Sequence, residues 1–312
     1  MNDEEYQSIK TKHYDVIVIG GGQSGLSVGY YLRRTDLNYI ILDREKEPGG
    51  AWLHTWNSLR LFSPAKWSSL PGVIMSGGPD YYPTRDEAIA YLREYERKYD
   101  LKVKRPIRVN SVQKQEDIFR LNTSDGRYES KALVSATGSF RNPYVPEIPG
   151  MDAFEGTIIH SSQYRSPADF EDQRVAVVGG GNSGAQILAE VSKVADTLWI
   201  TKEPPQFLPD DVDGRYLFDV ATKMYEARKQ GKKFNSPSLG DIVMVDPVKD
   251  ARERGVLESI SPSFQRFEGN TLVWADGREE KVDSVIFCTG FKPALKYMQE
   301  FGATDSNNRI NT

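Results

Sequence analysis

Two stretches of this 312-residue chain place glycines where a phosphate would need them. VIVIGGGQSG carries Gly20, Gly22 and Gly25, and VAVVGGGNSG carries Gly179, Gly181 and Gly184. Each follows a Val/Ile run and opens a helical pattern, the strand, tight turn and helix of a dinucleotide-binding unit. The first glycine permits the turn, the second lets a pyrophosphate approach the backbone, and the third lets helix and strand pack closely. Gln23 and Ser24, and Asn182 and Ser183, fall in the first helical turn, where free N–H groups and the positive dipole end face the phosphates. One such loop could be a plain glycine turn; two in the same context make a repeat.

The second strand of each unit sharpens the reading. YIILDRE ends on Asp43, followed by Arg44, and LWITKEP ends on Lys202; Asp43 and Lys202 each stand 23 positions after the first glycine. A carboxylate there accepts hydrogen bonds from ribose hydroxyls, as FAD or NAD offers, whereas a cation suits the 2′-phosphate of NADPH. A shift of one residue would put Glu203 in that place and favour NADH. The bland alternative is that Lys202 is a solvated strand-end lysine.

These side chains need elements to hold them. Thr84–Tyr99 reads as an amphipathic helix, opened by a capping box of Thr84 and Glu87. RPIRVNSVQ, IFRLNTS and RYESK read as antiparallel strands inserted in the first unit. ALVSATG (132–138) reads as a strand returning beneath a bound cofactor, with Thr137 and Gly138 at its end; FCTGFKP closes the second unit in the same way. RNPYVPEIPG (141–150) is the linker, and the polar stretch from Asp210 to Gly240 is either a lid or a surface insertion.

Composition excludes several classes. A net charge of −4 gives no nucleic-acid footprint. No segment approaches the length of a membrane span and MNDEEYQSIK is no secretory signal, so a cytoplasmic protein is expected. Cys288 is the only cysteine, which rules out a dithiol centre, and the three scattered histidines offer no metal site.

FEGTIIHSSQY then matches the F-x-G-x-x-x-H-x-x-x-[FY] motif of flavin-containing monooxygenases, as Phe154, Gly156, His160 and Tyr164. EPGGAW is similar to that family's G-G-x-W segment, and NSLRLFSP to its S-L-x-x-N-x-P stretch under the flavin ring. The resemblance spans most of residues 14–293 and is nearest to short bacterial members, including those associated with arsenic-resistance operons.

The resemblance implies an α/β fold of two Rossmann-like domains in three ββα layers, glutathione-reductase-like, the second inserted in the first. An FAD domain would comprise 1–150 and 286–312, and an NAD(P)H domain 151–285. FAD would lie on Gly20–Gly25, Asp43, Ala51, Trp52, Phe62 and Ser63, and NADPH on Gly179–Gly184 and Lys202. The implied reaction takes hydride from NADPH to FAD and, through a flavin hydroperoxide, passes oxygen from O2 to a small soft nucleophile. His160 would orient the nicotinamide module rather than donate a proton.

Two departures qualify this. Phe62 replaces the asparagine that supports oxygenation in the family, and a phenyl ring cannot donate that bond. Only about twenty residues follow FCTGFKP, so the last strand and helix of the FAD domain are expected to be missing and FAD to be held less tightly. Three readings stay open: a monooxygenase, a flavin reductase or oxidase that inserts no oxygen, and a dinucleotide-binding sensor. A homodimer is the default assembly.

Overall fold

The computed structural model describes residues 11–232 and 241–303. The acidic N-terminal stretch, the last part of the polar stretch before Gly240, and the final residues assigned to the FAD domain lie outside them.

The first module opens with β1 (Lys12–Ile19), α1 (Gln23–Leu32) and β2 (Tyr39–Leu42). Then come α2 (Arg85–Lys98), β3 (Val103–Lys104), β4 (Val109–Gln115), β5 (Ile118–Thr123) and β6 (Gly126–Ser135). They form one sheet in the order β3-β2-β1-β6-β5-β4. Val16–Ile19 and all of β2 are buried, as an apolar run with neighbours on both faces should be. The capping box of α2 is present: Thr84 accepts from the Glu87 N–H while the Glu87 side chain takes the Thr84 N–H.

One expectation is revised. RYESK and ALVSATG are a single strand, β6, parallel to β1 along its length. Its first half also pairs antiparallel with β5, through Gly126–Ser130.

The second module contains β7 (Thr157–His160), β8 (Arg174–Val178), α3 (Asn182–Val191), β9 (Asp196–Ile200), α4 (Gly214–Lys229), α5 (Asp246–Glu253) and β10 (Ser259–Ile260). A small antiparallel sheet follows, β11 (Arg266–Glu268), β12 (Thr271–Val273) and β13 (Glu279–Lys281), and then β14 (Ser284–Phe287). The main sheet is wholly parallel, in the order β10-β9-β8-β14-β7. Residues 285 and 286, which flank the expected domain border, lie inside β14, which pairs with β7 and β8.

The two modules repeat one plan. β3-β2-β1-β6 corresponds to β10-β9-β8-β14, and the glycine loops leave the equivalent strands β1 and β8. The stretch 210–232 proves to be a connection between modules: Gly214 N–H donates to the Phe62 carbonyl (2.9 Å), and Arg215 pairs with Asp80 (3.3 Å). Among the described residues no helix is long and apolar enough to cross a membrane.

Candidate functional site: two nucleotide cradles

The two loops share one geometry. Gly20 has φ +108°, and a Cβ on it would stand 2.4 Å from the Ala136 carbonyl oxygen; Gly179 has φ +134°, with the Cys288 carbonyl oxygen at 2.3 Å. A Cβ on Gly25 or Gly184 would meet the carbonyl oxygen of Gly20 or Gly179 at 1.8 and 2.2 Å. Each helix thus lies against its own loop, a packing that any side chain would break.

The middle glycines face open space. Nothing lies within 4 Å of a Cβ built on Gly181, and only the Gly50 Cα, at 3.8 Å, near one on Gly22. Gly22 and Gly181 cap α1 and α3 without a side-chain acceptor, and neither helix has an acid in its first turn. By contrast α2 and α4 are capped by Thr84 and Asp213. The uncapped N–H groups and positive helix ends fit a pyrophosphate.

Beside the first loop is a cavity of about 410 Å3. It gathers most of the expected FAD residues: Gly20, Gly22, Gln23, Ser24, Asp43, Arg44, Ala51, Trp52, Thr137 and Gly138. Gly25 lies behind the loop. The Trp52 indole donates to Gln23 Oε1 (3.2 Å), tying the G-G-x-W segment to α1. Phe62 and Ser63 do not line this cavity. Ser63 is buried, its hydroxyl 2.8 Å from that of Ser68, and the Phe62 ring lies against Gly214, 36% exposed.

Asp43 is 3% exposed, and its Oδ2 accepts from Arg105 Nε (2.8 Å). Arg105 also grips Glu96 through two bonds of 2.6 and 2.7 Å. Among the described residues the other oxygen, Oδ1, receives only the Glu45 N–H at 3.4 Å, which leaves it fit to accept from a ribose hydroxyl. At the cavity wall Glu45 binds His54 (2.9 Å) and Arg141 (2.7 Å). Burial opposes ionisation of Glu45, but these bonds outweigh it and hold its carboxyl below the usual range. Arg105, Glu45, His54 and Arg141 escape sequence reading because only strand order and loop packing bring them together.

In the second cradle, Lys202 and Glu203 are both exposed just beyond β9. Asn182, expected to face the cofactor, is engaged elsewhere: its Nδ2 donates to the Asp241 carbonyl (3.1 Å) and its Oδ1 accepts from Val243 N–H (2.9 Å).

The cradles are joined at their strand ends. Tyr144 N–H donates to the Gly290 carbonyl (3.0 Å), Lys292 to Asn142 (2.9 Å) and Ala294 to Gly138 (3.1 Å). The segments that leave the T-G ends of β6 and β14 thus run antiparallel beside each other, and in such sheets ligands bind at the C-terminal strand ends. Of the histidine motif, His160 reaches this junction, while Gly156 and Phe154 pack within the second module. A Cβ on Gly156 would stand 2.1 Å from the Asp283 carbonyl oxygen, and Phe154 packs edge-on against Phe267. His160 Nδ1 accepts from Ser162 N–H (3.1 Å), which puts the ring proton on Nε2, donated to the Gly290 carbonyl (3.0 Å). Burial lowers the His160 pKa, so the imidazole is neutral near pH 7. Tyr164 OH donates to Glu190 (2.9 Å), which also accepts from Ser58 Oγ of the first module (2.6 Å).

Comparison with known proteins follows the same lines. A family model described as pyridine nucleotide-disulphide oxidoreductase matches residues 17–226. A flavin-containing monooxygenase from Stenotrophomonas maltophilia has a TM-score of 0.87 at 49% identity, covering 96% of this chain and 85% of that one. The chain belongs to the flavin-containing monooxygenases of that family. An uncharacterized CzcO-like oxidoreductase of Geobacillus kaustophilus is 33% identical over 291 residues, 91% of this chain and 82% of that protein. The indole-3-pyruvate monooxygenase YUCCA8 of Oryza sativa is 28% identical, covering 92% of this chain and 78% of its own.

As a flavin monooxygenase the chain uses a flavin and a pyridine nucleotide, and its single cysteine cannot form a disulfide within the chain. Cys288 is buried beneath the second loop at the place Ala136 holds in the first, and burial pushes its pKa up to about 12. A thiol so buried is not a nucleophile at neutral pH.

Proposed function

We propose that this flavin monooxygenase binds FAD in the first cradle and NADPH in the second, and oxygenates a small soft nucleophile at sulfur or nitrogen. The observation that carries the reading is the antiparallel pairing of the segments that leave the two T-G strand ends, Asn142–Tyr144 against Gly290–Lys292, which brings both cradles to one junction. When bound, FAD supplies hydride acceptance and oxygen activation.

The protein's residues have simpler tasks. Backbone N–H groups of α1 and α3 hold pyrophosphates, Asp43 Oδ1 accepts from a ribose, and Lys202 attracts the 2′-phosphate. Trp52 covers one wall of the cavity and keeps water from it. His160 holds the Gly290 turn in place without exchanging protons, which matters because a misplacement of about 1 Å can cost on the order of a hundredfold in rate. The domain division that follows is a first module interrupted by the second, with residues 294–301 returning to it.

A second reading is favoured by Phe62. Its side chain cannot donate a hydrogen bond and it stands at the Gly214 contact, outside the FAD cavity, so this position offers no donor to support oxygen insertion and the chain would act as an oxidase or reductase. One experiment separates the readings: spectra during NADPH addition and reoxygenation, with NADPH consumed compared against oxygenated thioether or amine. Matching amounts support oxygenation. Quantitative hydrogen peroxide with every thioether and amine overturns it in favour of an oxidase.

A further inference from the structure

A second cavity, about 780 Å3 in volume, lies between the modules and includes no residue of either glycine loop. That volume falls within the roughly 300–1,000 Å3 of small-molecule sites. Trp56, Leu59 and Leu61 of the first module face Val194, Val243 and Met244 of the second across it.

Several of its charged side chains are paired or tied down. Asp210 pairs with Arg252, Asp213 with Arg215 and Lys193 with Asp250, while Arg60 donates to the Tyr82 carbonyl. Lys249 faces Asp210 and helps hold its carboxyl ionised. Asp211 and Asp246 stand exposed to solvent. Glu190 is half-buried and has no cationic partner among the described residues; it is held only by the neutral hydroxyls of Ser58 (2.6 Å) and Tyr164 (2.9 Å).

A carboxylate so placed has lone pairs to spare and apolar surroundings that strengthen any bond it makes to a cation. Trp56, 7% exposed, adds an aromatic wall, which cations favour. We propose that this cavity binds an apolar organic cation, its ammonium group on Glu190 and its hydrocarbon against Trp56, Leu59 and Met244. The cavity shares no lining residue with the FAD cavity, which sets this site apart from the flavin. Because its walls come from both modules, an occupant favours the arrangement that holds them together.

Calorimetric titration of the purified chain, with FAD in excess, tests this with three matched probes: 2-phenylethylammonium, 2-phenylethanol and 3-phenylpropionate. The ammonium should bind at least about tenfold more tightly than the alcohol, as a charge-assisted hydrogen bond provides. The carboxylate should bind most weakly of the three. Glu190→Gln, which still accepts from Ser58 and Tyr164, should abolish the preference, and Leu59→Trp should abolish binding by filling the cavity. Equal affinity for all three probes, no binding by any of them, or cation binding that survives Leu59→Trp would overturn the proposal. The probe comparison on the unaltered chain holds whether or not either variant folds. No turnover is measured, so failure of the oxygenase reading would show separately in the flavin spectra.

Discussion

Replacing Gly181 by alanine should separate holding a nucleotide from holding the fold. Gly181 has φ −109° and ψ −174°, a conformation open to any residue, and an added Cβ meets nothing within 4 Å. The folded chain therefore accepts the methyl without strain, and the stiffer unfolded chain adds about 0.4–1 kcal/mol of stability. The same methyl occupies space that a pyrophosphate needs to reach the first N–H groups of α3. Losing one charge-assisted hydrogen bond costs about 1.5–3 kcal/mol, or roughly 10- to 150-fold in affinity. Gly184→Ala is the contrast: its Cβ would sit 2.2 Å from the Gly179 carbonyl oxygen, and overpacking of that kind costs about 1–3 kcal/mol. Two measurements decide the matter, thermal melting and the NADPH dependence of flavin reduction in a stopped-flow instrument. Gly181→Ala should melt at or slightly above the parent temperature and need at least about tenfold more NADPH. Gly184→Ala should melt several degrees lower. If Gly181→Ala takes up NADPH like the parent, or melts as early as Gly184→Ala, the second loop is not a nucleotide cradle of this kind.

His160 should make the fold acid-sensitive. Its folded pKa lies below the ordinary 6.5, so the unfolded chain binds the extra proton first, and stability falls as pH drops below about 6.5. Denaturant midpoints for the parent and His160→Asn should diverge above that pH and converge below it; parallel curves would contradict the neutral assignment. Cys288 should resist a thiol reagent in the native protein and react fully once unfolded, and Cys288→Ala, which copies Ala136 of the first loop, should keep NADPH-dependent turnover. Fast native labelling, or loss of turnover in that variant, would restore thiol chemistry. Lys202→Ala should weaken NADPH by roughly tenfold relative to NADH, the loss of one cation–phosphate contact. An unchanged ratio in steady-state kinetics would leave Lys202 a solvated strand-end residue.

The glycine repeat and the paired T-G strand ends were readable in advance because each expresses a requirement met within a few residues. A positive φ at Gly20 and Gly179, and a helix seated on its own loop at Gly25 and Gly184, leave room for no other residue. The capping box at Thr84 is legible for the same reason. Side-chain partners across the fold are another matter. Nothing local in RYESK and ALVSATG says that they are one strand, because its two edges are settled by β1 and β5. Asn182 sits in the expected turn, yet its amide is drawn to residues 241–243, about sixty positions away. Arg105 reaches Asp43 because β3 lies beside β2, and Glu190 collects Ser58 and Tyr164 because α3 faces the first module. Backbone sterics act between near neighbours and leave their mark in residue type. Hydrogen bonds between distant side chains depend on strand order and module docking, and many different residues can satisfy them.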